Sequence, residues 1–340
     1  MADRVLPLGK LPAALLGRLL GDLAPLPAEV LVGPGIGEDA CAIQVEAGVL
    51  VAAGDPITLT GADLGRAVVT VNANDVAVTG VRPRWFLATI LLPAGTTEAD
   101  VVRLFADMRR TLTALGAALV GGHTEVTGAV RDPVVSGHML GWAPAGRIVR
   151  TGGARPGDAI VQVGQVPIEG AAVLALDHPA ALSTAPRGSL QAAATALDDP
   201  GISVVEPALA AAELGATAMH DPTEGGLAAA LWELATASRV ALRVDRERIA
   251  WFRPGLDVCR AAGADPWATL ASGALLATFP GPQADEAVRH LNARGHAAAV
   301  IGRAEPGEGV RDTAGTPIPW PDRDEVARLL DVRPSPWSPP

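Results

Sequence analysis

The chain has 340 residues, of which 49% are apolar and 19% charged, a composition typical of a globular protein and not of a disordered one. Its formal net charge of −10 argues against a general nucleic-acid-binding surface. Its two cysteines exclude a disulfide framework, and no apolar run reaches the roughly 18 residues of a membrane span, so we expect a cytoplasmic protein without membrane contact.

The first half of the chain combines predicted helices with predicted strands. Helical spacing of apolar residues predicts helices over 11–24, 64–80 and 97–116. Thr97 is the expected N-cap of the third helix and Gly116 its expected end. Strands are predicted over 40–45, 48–57, 84–93, 116–122 and 133–143. Residues 1–150 are therefore expected to form an N-terminal α+β domain.

The segment TGGARPGD at 151–158, rich in Gly and Pro, predicts a domain boundary. Helices are predicted beyond it at 169–177, near 203–215 and after DPTEGGL, and strands at 158–164, 240–244, 273–279 and 297–301. Residues 151–330 are expected to form a C-terminal α+β domain, and 331–340 a Pro-rich extended tail. The predicted fold class is α+β with two domains.

Four aspartates stand beside predicted buried structure, where a charge is costly unless it is paired or bound to a metal. Asp39 follows a Gly-rich turn, Asp55 ends a strand, Asp75 lies in an apolar helix and Asp221 follows the apolar AMH. Carboxylates on Gly-rich turns suit Mg²⁺ that is held together with phosphates. Each aspartate also has a structural interpretation, as a turn residue, hydrogen-bonding group or N-cap. Four such positions in one chain favour a site.

Lys10 is the only lysine of the chain. Its compact ammonium group is suited to a point contact with phosphate, although chance placement at an exposed helix start explains it equally well. The sequence contains no Walker A motif, no GxGxxG, no GxSxG and no HExxH. Gly33, Gly35 and Gly37 have the spacing of a phosphate loop but lack its lysine and serine.

Several segments, in this order, resemble a known superfamily: GIGEDACAI, AAGDPITL, VNANDVAVTGVRP, GGHTEVTG, GARPGDAIVQVG, MHDPTEGGLAAAL and ASGALLATFP. The superfamily comprises aminoimidazole ribonucleotide synthetase (PurM), thiamine-monophosphate kinase, selenophosphate synthetase and the hydrogenase maturation protein HypE. The resemblance extends over roughly residues 8–305, and DPTEGGLA and LPLGKLP are most similar to HypE-like proteins.

The resemblance implies a PurM-like two-domain fold. The N-terminal domain would bind ATP and Mg²⁺ and would dimerise, so that strands from two subunits build one sheet barrel. The C-terminal domain would cover a small-molecule substrate. The implied chemistry is Mg-ATP-dependent activation of an oxygen by phosphoryl transfer, with or without a following dehydration or ring closure, in which positioning and charge neutralisation do most of the work.

The resemblance also implies roles for individual residues. The Mg²⁺–phosphate ligands would be Asp39, Asp55, Asp75 and Asp221, the last closing the site from the second domain. Lys10 would face the terminal phosphate, and Lys10, Asp221 and His123 are the expected catalytic residues. The remaining nucleotide-binding positions would be Gly37, Asn72, Asn74, Gly121 and Gly122.

His123 departs from the superfamily, whose members usually carry Asp or Glu at this position. In an extended segment residues i and i+2 face the same side, so His123 and Glu125 are expected to form a pair. Two interpretations stay open. His123 either lies in the nucleotide site and alters which substrate is activated, or it is a structural hydrogen-bonding residue in a turn.

The end of the sequence departs as well. HypE carries the group that it dehydrates on a terminal cysteine, whereas this sequence ends SPWSPP, so HypE chemistry on its own tail is not expected. Two functions stay open. One is an ATP-dependent enzyme acting on a small molecule. The other is a HypE-like nucleotide-binding scaffold that assists a metalloenzyme-maturation partner without turnover of its own.

Overall fold

The computed structural model describes residues 28–330 except 34, 39, 47, 58–62, 147 and 178–181. The predicted helix over 11–24, the predicted Pro-rich tail at 331–340, and the predicted site residues Lys10 and Asp39 lie outside these described residues. No helix in the described ranges is both long enough and apolar enough to cross a membrane.

Among the described residues, the first sheet has seven strands, in the order β1-β2-β3-β7-β5-β6 with β4 paired to β7. Its strands are β1 (Val30–Val32), β2 (Cys41–Val45), β3 (Gly48–Ala53), β4 (Pro56–Ile57), β5 (Pro83–Pro93), β6 (Ala118–Thr127) and β7 (Val134–Ala143). The predicted strand over 48–57 is interrupted at Gly54 and Asp55, which separate β3 from β4. Pairing is antiparallel except between β5 and β6, which run parallel.

The apolar run LGAALV, at the start of the strand predicted over 116–122, predicts a buried strand that ends before His123, and both parts of this prediction are wrong. Strand β6 continues through His123 and Glu125 to Thr127, and all of its residues except Thr127 are exposed. The reason is its place in the sheet, since β6 lies at an edge and pairs on one side only, with β5. An apolar run such as LGAALV does not reveal whether its strand lies at the edge or in the centre of a sheet.

The part of the chain that the structure describes contributes six strands to the second sheet, in the order β13-β10-β12-β8-β11-β9. They are β8 (Asp158–Val163), β9 (Ala218–His220), β10 (Ala241–Val244), β11 (Leu275–Pro280), β12 (Ala298–Glu305) and β13 (Gly309–Asp312). The structure thus has two sheet-containing domains and confirms the predicted α+β class. The boundary at 151–158 stays a prediction.

The helices pack against these two sheets. They are α1 (Leu64–Ala77), α2 (Glu98–Leu115), α3 (Glu169–Asp177), α4 (Arg187–Ala194), α5 (Val205–Glu213), α6 (Gly226–Ser238), α7 (Arg253–Ala262), α8 (Gly281–Ala293) and α9 (Glu325–Leu330). Helix α2 has the predicted ends. The Thr97 side chain accepts from the Asp100 N–H, the Asp100 carboxylate accepts from the Thr97 N–H, and Gly116 ends the helix in a left-handed conformation.

Helix α1 lies in the interior, where every one of its residues except Arg66 is buried. Small and β-branched residues make up most of the helix itself and occupy all of its faces, as is usual for a helix that is enclosed by other elements. The larger apolar cluster includes Val68 of α1 and Phe86 of the first sheet, together with Ile168 and Val205 of the second domain. The two domains therefore share apolar packing around α1.

Asn74 links α1 to the second domain through two buried hydrogen bonds. Its Nδ2 donates to the carbonyl of Ile202 over 2.8 Å, and its Oδ1 accepts from the N–H of Val204 over 2.9 Å. Ile202 and Val204 precede α5, which also packs against Gly80 at the end of α1, where a Cβ would lie 2.9 Å from Ala212. The amide of Asn74 thus satisfies backbone groups that water does not reach.

We expect Asn74→Leu to lower the free energy of unfolding by about 2–4 kcal/mol, because it leaves a buried N–H and a buried carbonyl without partners. Urea unfolding of the full chain measures this value. Asn292→Leu is the matched control, because Asn292 also bridges backbone groups, at Val288 and Ala298, but on the surface. If both variants lost the same free energy of unfolding, the buried hydrogen bonds of Asn74 would contribute no more than exposed ones, which would contradict this prediction.

Candidate functional site

Asp55 is held in place by the side chain of Asn72. The Oδ1 of Asn72 accepts from the Asp55 N–H over 2.8 Å, and its Nδ2 donates to the Asp55 carbonyl over 3.1 Å. Asn72 is fully buried, while Asp55 is exposed. A Cβ at Gly137 would lie 2.5 Å from the Nδ2 of Asn72, so glycine is required there. The amide fixes the backbone of Asp55 and leaves its carboxylate at the surface.

Asp75 follows Asn72 by three residues on α1, so the two side chains lie on the same helix face. Asp75 is only 5% exposed. Asn74, which points to Ile202 and Val204, serves the contact between domains. Helix α1 therefore brings two predicted site residues, Asn72 and Asp75, to one face and directs the third, Asn74, elsewhere.

The Gly-rich turn packs against the second domain. Gly37 has a φ of +80°, and a Cβ there would lie 2.9 Å from the Cβ of Glu233 on α6. Glu233 in turn lies 2.8 Å, through its Oε2, from the Nε2 of the buried His220. His220 precedes Asp221, which is 1% exposed. The Gly-rich turn around Gly37 thus packs against the helix whose Glu233 holds His220, the residue before Asp221.

The loop DPTEGG is shaped by two glycines and one carboxylate. Gly225 and Gly226 have φ values of +83° and +62°, and a Cβ at Gly226 would lie 2.6 Å from the carbonyls of Thr269 and Trp267. The Gly225 N–H donates to the Oδ2 of Asp324 over 2.8 Å. Asp324 also accepts from the Val326 N–H over 2.7 Å. A residue at the start of α9 therefore supports the loop at the start of α6.

Two buried carboxyl groups near Glu224 have raised pKa values. Burial raises the pKa of Asp324 to about 7, against the opposing hydrogen bonds from Gly225 and Val326, and the charge of Glu224 adds to the increase. Burial likewise raises the pKa of Glu169, at the start of α3, while a hydrogen bond with Ser272 opposes the change and Glu224 adds to it. Glu169 and Asp324 are thus acids that retain their protons at a higher pH than ordinary carboxylates.

The GGHTEVTG segment lies on β6. Gly122 has a φ of +142°, and a Cβ there would lie 2.0 Å from the carbonyl of Ala88, so this glycine serves the close approach of β5 and β6. Gly121 has no such constraint. The Nε2 of His123 lies 3.2 Å from the Oε2 of Glu125, which is the pairing that the sequence predicted. Both side chains are exposed, His123 by 63% and Glu125 by 47%.

Within one chain, His123 is far from Asp55. His123 is level with Thr89 on β5, Thr89 with Ser136 on β7, and Ser136 with Pro56 on β4. Three strand spacings therefore separate His123 from Pro56, which is roughly 14 Å. The structure brings together Asn72 with Asp55 and the Gly37 turn with the Asp221 segment, but it does not bring His123 to either group within a single chain.

The described residues contain no group of three or more His, Cys, Asp or Glu side chains arranged to hold a metal ion. Asp39, one of the four predicted Mg²⁺ ligands, is not among them. Mg²⁺ that is bound with phosphates needs only one or two carboxylates, because water and phosphate oxygens complete its octahedron. Carboxylates such as those of Asp55, Asp75 and Asp221 have the donor chemistry that Mg²⁺ prefers, and the predicted ligand set stays a prediction.

Sequence reasoning missed Glu169, Glu233 and Asp324. Glu169 and Glu233 each lie in a run of apolar residues, PIEGAAV and LWELAT, and a lone acid in such a run is a signal of a buried carboxyl group. Asp324 lies in the polar stretch DRDE, a pattern that predicts solvent-exposed residues. Only the tertiary contact with Gly225 identifies it.

Comparison with known proteins gives matches across both domains. Residues 37–143 match the N-terminal domain of AIR synthase related protein, and residues 155–314 match its C-terminal domain. Carbamoyl dehydratase HypE of Rhodobacter capsulatus is 32% identical over 253 residues, which cover 73% of this chain and 72% of the relative. The chain belongs to the AIR synthase related family.

Solved structures of family members share the fold. HypE in complex with ATP aligns with a TM-score of 0.69 at 22% identity, over 92% of this chain and 91% of that one. AaThiL complexed with AMPPCP and TMP aligns with a TM-score of 0.70 at 21% identity, over 91% and 94%. The HypE-HypF complex aligns with a TM-score of 0.68 at 20% identity, over 82% and 93%. HypE and ThiL are thus equally similar in fold.

We expect the stability of the wild-type chain to fall relative to Asp324→Asn as the pH rises from about 4 to about 7. The folded pKa of about 7 lies above the unfolded value of about 3.9, so the protonated carboxyl stabilises the fold at low pH and this contribution is lost as the pH approaches 7. The difference should change by at most about 1.4 kcal/mol per pH unit. Urea unfolding across this pH range measures it.

Glu325→Gln is the control for this measurement. Burial tends to raise the pKa of Glu325, but hydrogen bonds from the Arg328 side chain and the Asp265 N–H outweigh it and lower this pKa. The contribution of Glu325 to the free energy of unfolding is therefore lost only as the pH falls. The difference in the free energy of unfolding between Glu325→Gln and the wild type should therefore stay constant above about pH 5.5. If the difference in the free energy of unfolding between the wild type and Asp324→Asn did not change with pH, the pKa of Asp324 would be that of an ordinary carboxyl group.

Proposed function

We propose that this protein is an ATP-dependent enzyme that activates an oxygen atom of a small molecule by phosphoryl transfer. The observation that carries the proposal is the arrangement of Asn72 and Asp75 on one face of the buried helix α1, with Asn72 fixing Asp55. Family membership supports it, since HypE binds ATP in one solved structure and ThiL binds AMPPCP in another. Fold similarity alone does not establish a reaction, so the substrate is open.

In this proposal the phosphates and one Mg²⁺ ion bind near Asp39, Asp55 and Asp75, with Lys10 at the terminal phosphate and Asp221 opposite. Gly37 is the proposed backbone contact within one chain, and Gly121 and Gly122, beside His123, are proposed contacts that a second copy would supply. Asn72 and Asn74 would support the site. Mg²⁺ would neutralise phosphate charge. The γ-phosphoryl group would pass from ATP to the acceptor oxygen, whose proton leaves as ADP is released. Asn72 positions Asp55 for this task and does not itself need to touch the nucleotide.

The buried pair of His220 and Glu233 supports a role for the second domain. Glu233 orients the imidazole through its Nε2, next to Asp221. An imidazole that a carboxylate holds in place is oriented for proton transfer. The exposed pair of His123 and Glu125 has the same chemistry but lies on β6, away from Asp55. We therefore propose that His123 acts in the site only where a second copy supplies it.

We further propose that β6 is where two copies of the chain pair. Its outer edge is exposed along its length, and Leu119, Val120 and Val126 are 42%, 54% and 58% exposed. An exposed edge strand with apolar side chains is a template for pairing with another strand. This supports the homodimer and the two-subunit barrel that the family resemblance implies.

The second candidate function is that of a nucleotide-binding maturation protein without turnover. HypE forms a complex with HypF, and a relative of this chain is named carbamoyl dehydratase HypE. A metalloenzyme-maturation partner is accordingly the protein partner that we propose. The two functions differ in one measurable outcome, which is whether bound ATP is consumed.

We expect the wild-type chain to be a dimer at micromolar concentration and Val120→Lys to be a monomer, because a charge at the strand edge opposes pairing. Light scattering coupled to size-exclusion chromatography measures the mass. Val102→Lys is the matched control, because Val102 is 59% exposed on α2 and should leave the dimer intact. A monomeric wild type would contradict the dimer and the role of His123 within it.

We expect Mg-ATP to bind the wild-type chain and to bind Asp75→Asn at least tenfold more weakly, because the substitution removes one negative ligand near the phosphates. Calorimetric titration with and without Mg²⁺ measures this. Asp107→Asn, on α2, is the control with unchanged affinity. No binding to the wild type would contradict the proposal. Binding without ATP consumption on any acceptor would favour the maturation protein.

His123→Asp extends this experiment, since it restores the residue type that the family usually carries. We expect the variant to change ATP affinity or consumption by at least threefold, because an imidazole and a carboxylate differ in charge near phosphate. Unchanged affinity and consumption would leave His123 as a structural residue.

A further inference from the structure

A cavity of about 440 Å³ lies in the second domain, on the side of α6 that faces the segment 318–325. Its apolar walls include Trp267, Ala228, Ile318, Pro319 and Pro321. We call it the tryptophan pocket. Part of its wall, residues 318–328, lies beyond the stretch 155–314 that matches the family domain, so the pocket is not built from family-matched residues alone.

Aromatic side chains are concentrated around this pocket. The chain has seven tryptophans, four phenylalanines and no tyrosine. The Trp251 ring meets the Trp267 ring edge to face at 5.2 Å, and the Trp232 ring stacks on Trp320 at 5.6 Å. The Arg246 guanidinium lies 5.0 Å from the centre of the Trp267 ring. Four of the seven tryptophans thus form two pairs, and Trp267 lines the cavity itself.

The charges around the tryptophan pocket are balanced. Its lining includes three arginines, at 246, 323 and 328, and three acids, at 265, 322 and 325, so the formal sum is zero. Arg246 pairs with Asp312 at 2.9 Å, and Arg328 pairs with Glu325. A strongly charged ligand such as a nucleotide would find its charge unmatched here. Apolar and aromatic walls with a neutral rim favour a ligand that is itself apolar and close to neutral.

Residues 331–340, DVRPSPWSPP, have that chemistry. They carry one acid, Asp331, and one base, Arg333, and four of the ten are proline. Residues 336–339 read Pro-Trp-Ser-Pro, which is a PxxP motif. Pro-rich segments of this kind bind grooves lined with aromatic side chains as polyproline II helices, whose low conformational entropy reduces the cost of binding.

The position of this segment in the chain allows it to reach the pocket. It follows directly on α9, whose Glu325 and Arg328 line the cavity. At about 3.1 Å per residue, ten residues in the polyproline II conformation span roughly 31 Å. A segment tethered so close has an effective concentration in the millimolar range, so even a modest affinity would keep the pocket occupied.

We propose that the tryptophan pocket binds residues 331–340 of its own chain, with the PxxP motif against Trp267. The pocket shares its wall with the DPTEGG loop. A Cβ at Gly225 would lie 3.5 Å from Pro321, and the Gly225 N–H donates to Asp324. A segment bound in the pocket would therefore contact the same residues, 321–324, that support the loop beginning at Asp221. The proposal does not depend on the proposed ATP-dependent reaction.

The test uses a fluorescein-labelled peptide with the sequence of residues 331–340 and two full-length proteins. One is the wild type, and the other carries Trp337→Ala and Pro339→Ser, which disable the tail and leave the pocket unchanged. We expect the tail variant to bind the peptide about tenfold more tightly in fluorescence anisotropy, because the tethered wild-type tail competes with it. Equal affinities, or no binding to the tail variant, would overturn the proposal.

Matched substitutions locate the binding. Trp267→Ala in the tail variant should abolish peptide binding, whereas Trp85→Ala should not. Trp85 is the control because it also lies under an arginine, Arg84 at 4.7 Å, but belongs to the first domain. Retained binding in Trp267→Ala would overturn the proposal.

A second peptide covers the case in which Trp267→Ala fails to fold. A peptide with Ala in place of Trp337 and Ser in place of Pro336 should lose binding to the unaltered tail-variant pocket, and equal binding of both peptides would count against the proposal. Dilution distinguishes the tail of a second copy. If competition by the wild type weakens on dilution, the tail acts between chains and the assignment to its own chain is wrong.

Discussion

Two buried amide groups on helix α1 determine how the rest of the molecule is arranged. An amide in the interior is costly unless each of its hydrogen-bonding atoms has a partner, so its partners must stay in place. Asn72 bonds the backbone of Asp55 between β3 and β4, and Asn74 bonds Ile202 and Val204 ahead of α5. The first sheet, the second domain and the carboxylate of Asp75 are therefore positioned by one helix.

In the second domain, the DPTEGG loop is likewise held by a buried side chain that bonds to the backbone. Two consecutive glycines adopt left-handed conformations because the carbonyls of Trp267 and Thr269 approach too closely for a side chain at Gly226. The N–H of Gly225 is then satisfied by Asp324 from α9. Helix α9 lies outside the stretch that matches the family domain, so a segment beyond the matched residues supports a loop that lies within them. The tryptophan pocket is lined by the same segment, so the proposed binding of the tail would contact residues that hold the DPTEGG loop.

Strand β6 shows how one residue pattern can serve two purposes. Gly122 is needed for the approach of β6 to β5, so this glycine is explained without a ligand, whereas Gly121 has no such constraint. His123 and Glu125 pair as their spacing predicted, yet at an open edge and about three strand spacings from Asp55. In one chain this pair therefore lies away from the proposed phosphate site at Asp55 and Asp75. Pairing of two chains at β6 would enclose it, which is why the oligomeric state and the role of His123 are best tested together.

The sequence by itself determined the elements and the family. Periodicity located α2 with its cap at Thr97 and its end at Gly116, and the ordered motifs indicated a PurM-like α+β fold with two domains. These features are local, because a cap, a turn or a motif depends on a few neighbouring residues. Tertiary structure alone decided that β6 is an edge strand and that Asn74 serves the contact between domains. It also decided that Asp324 is buried against Gly225. Burial and hydrogen-bond partners arise from residues distant in sequence, and no local pattern encodes which distant residues meet.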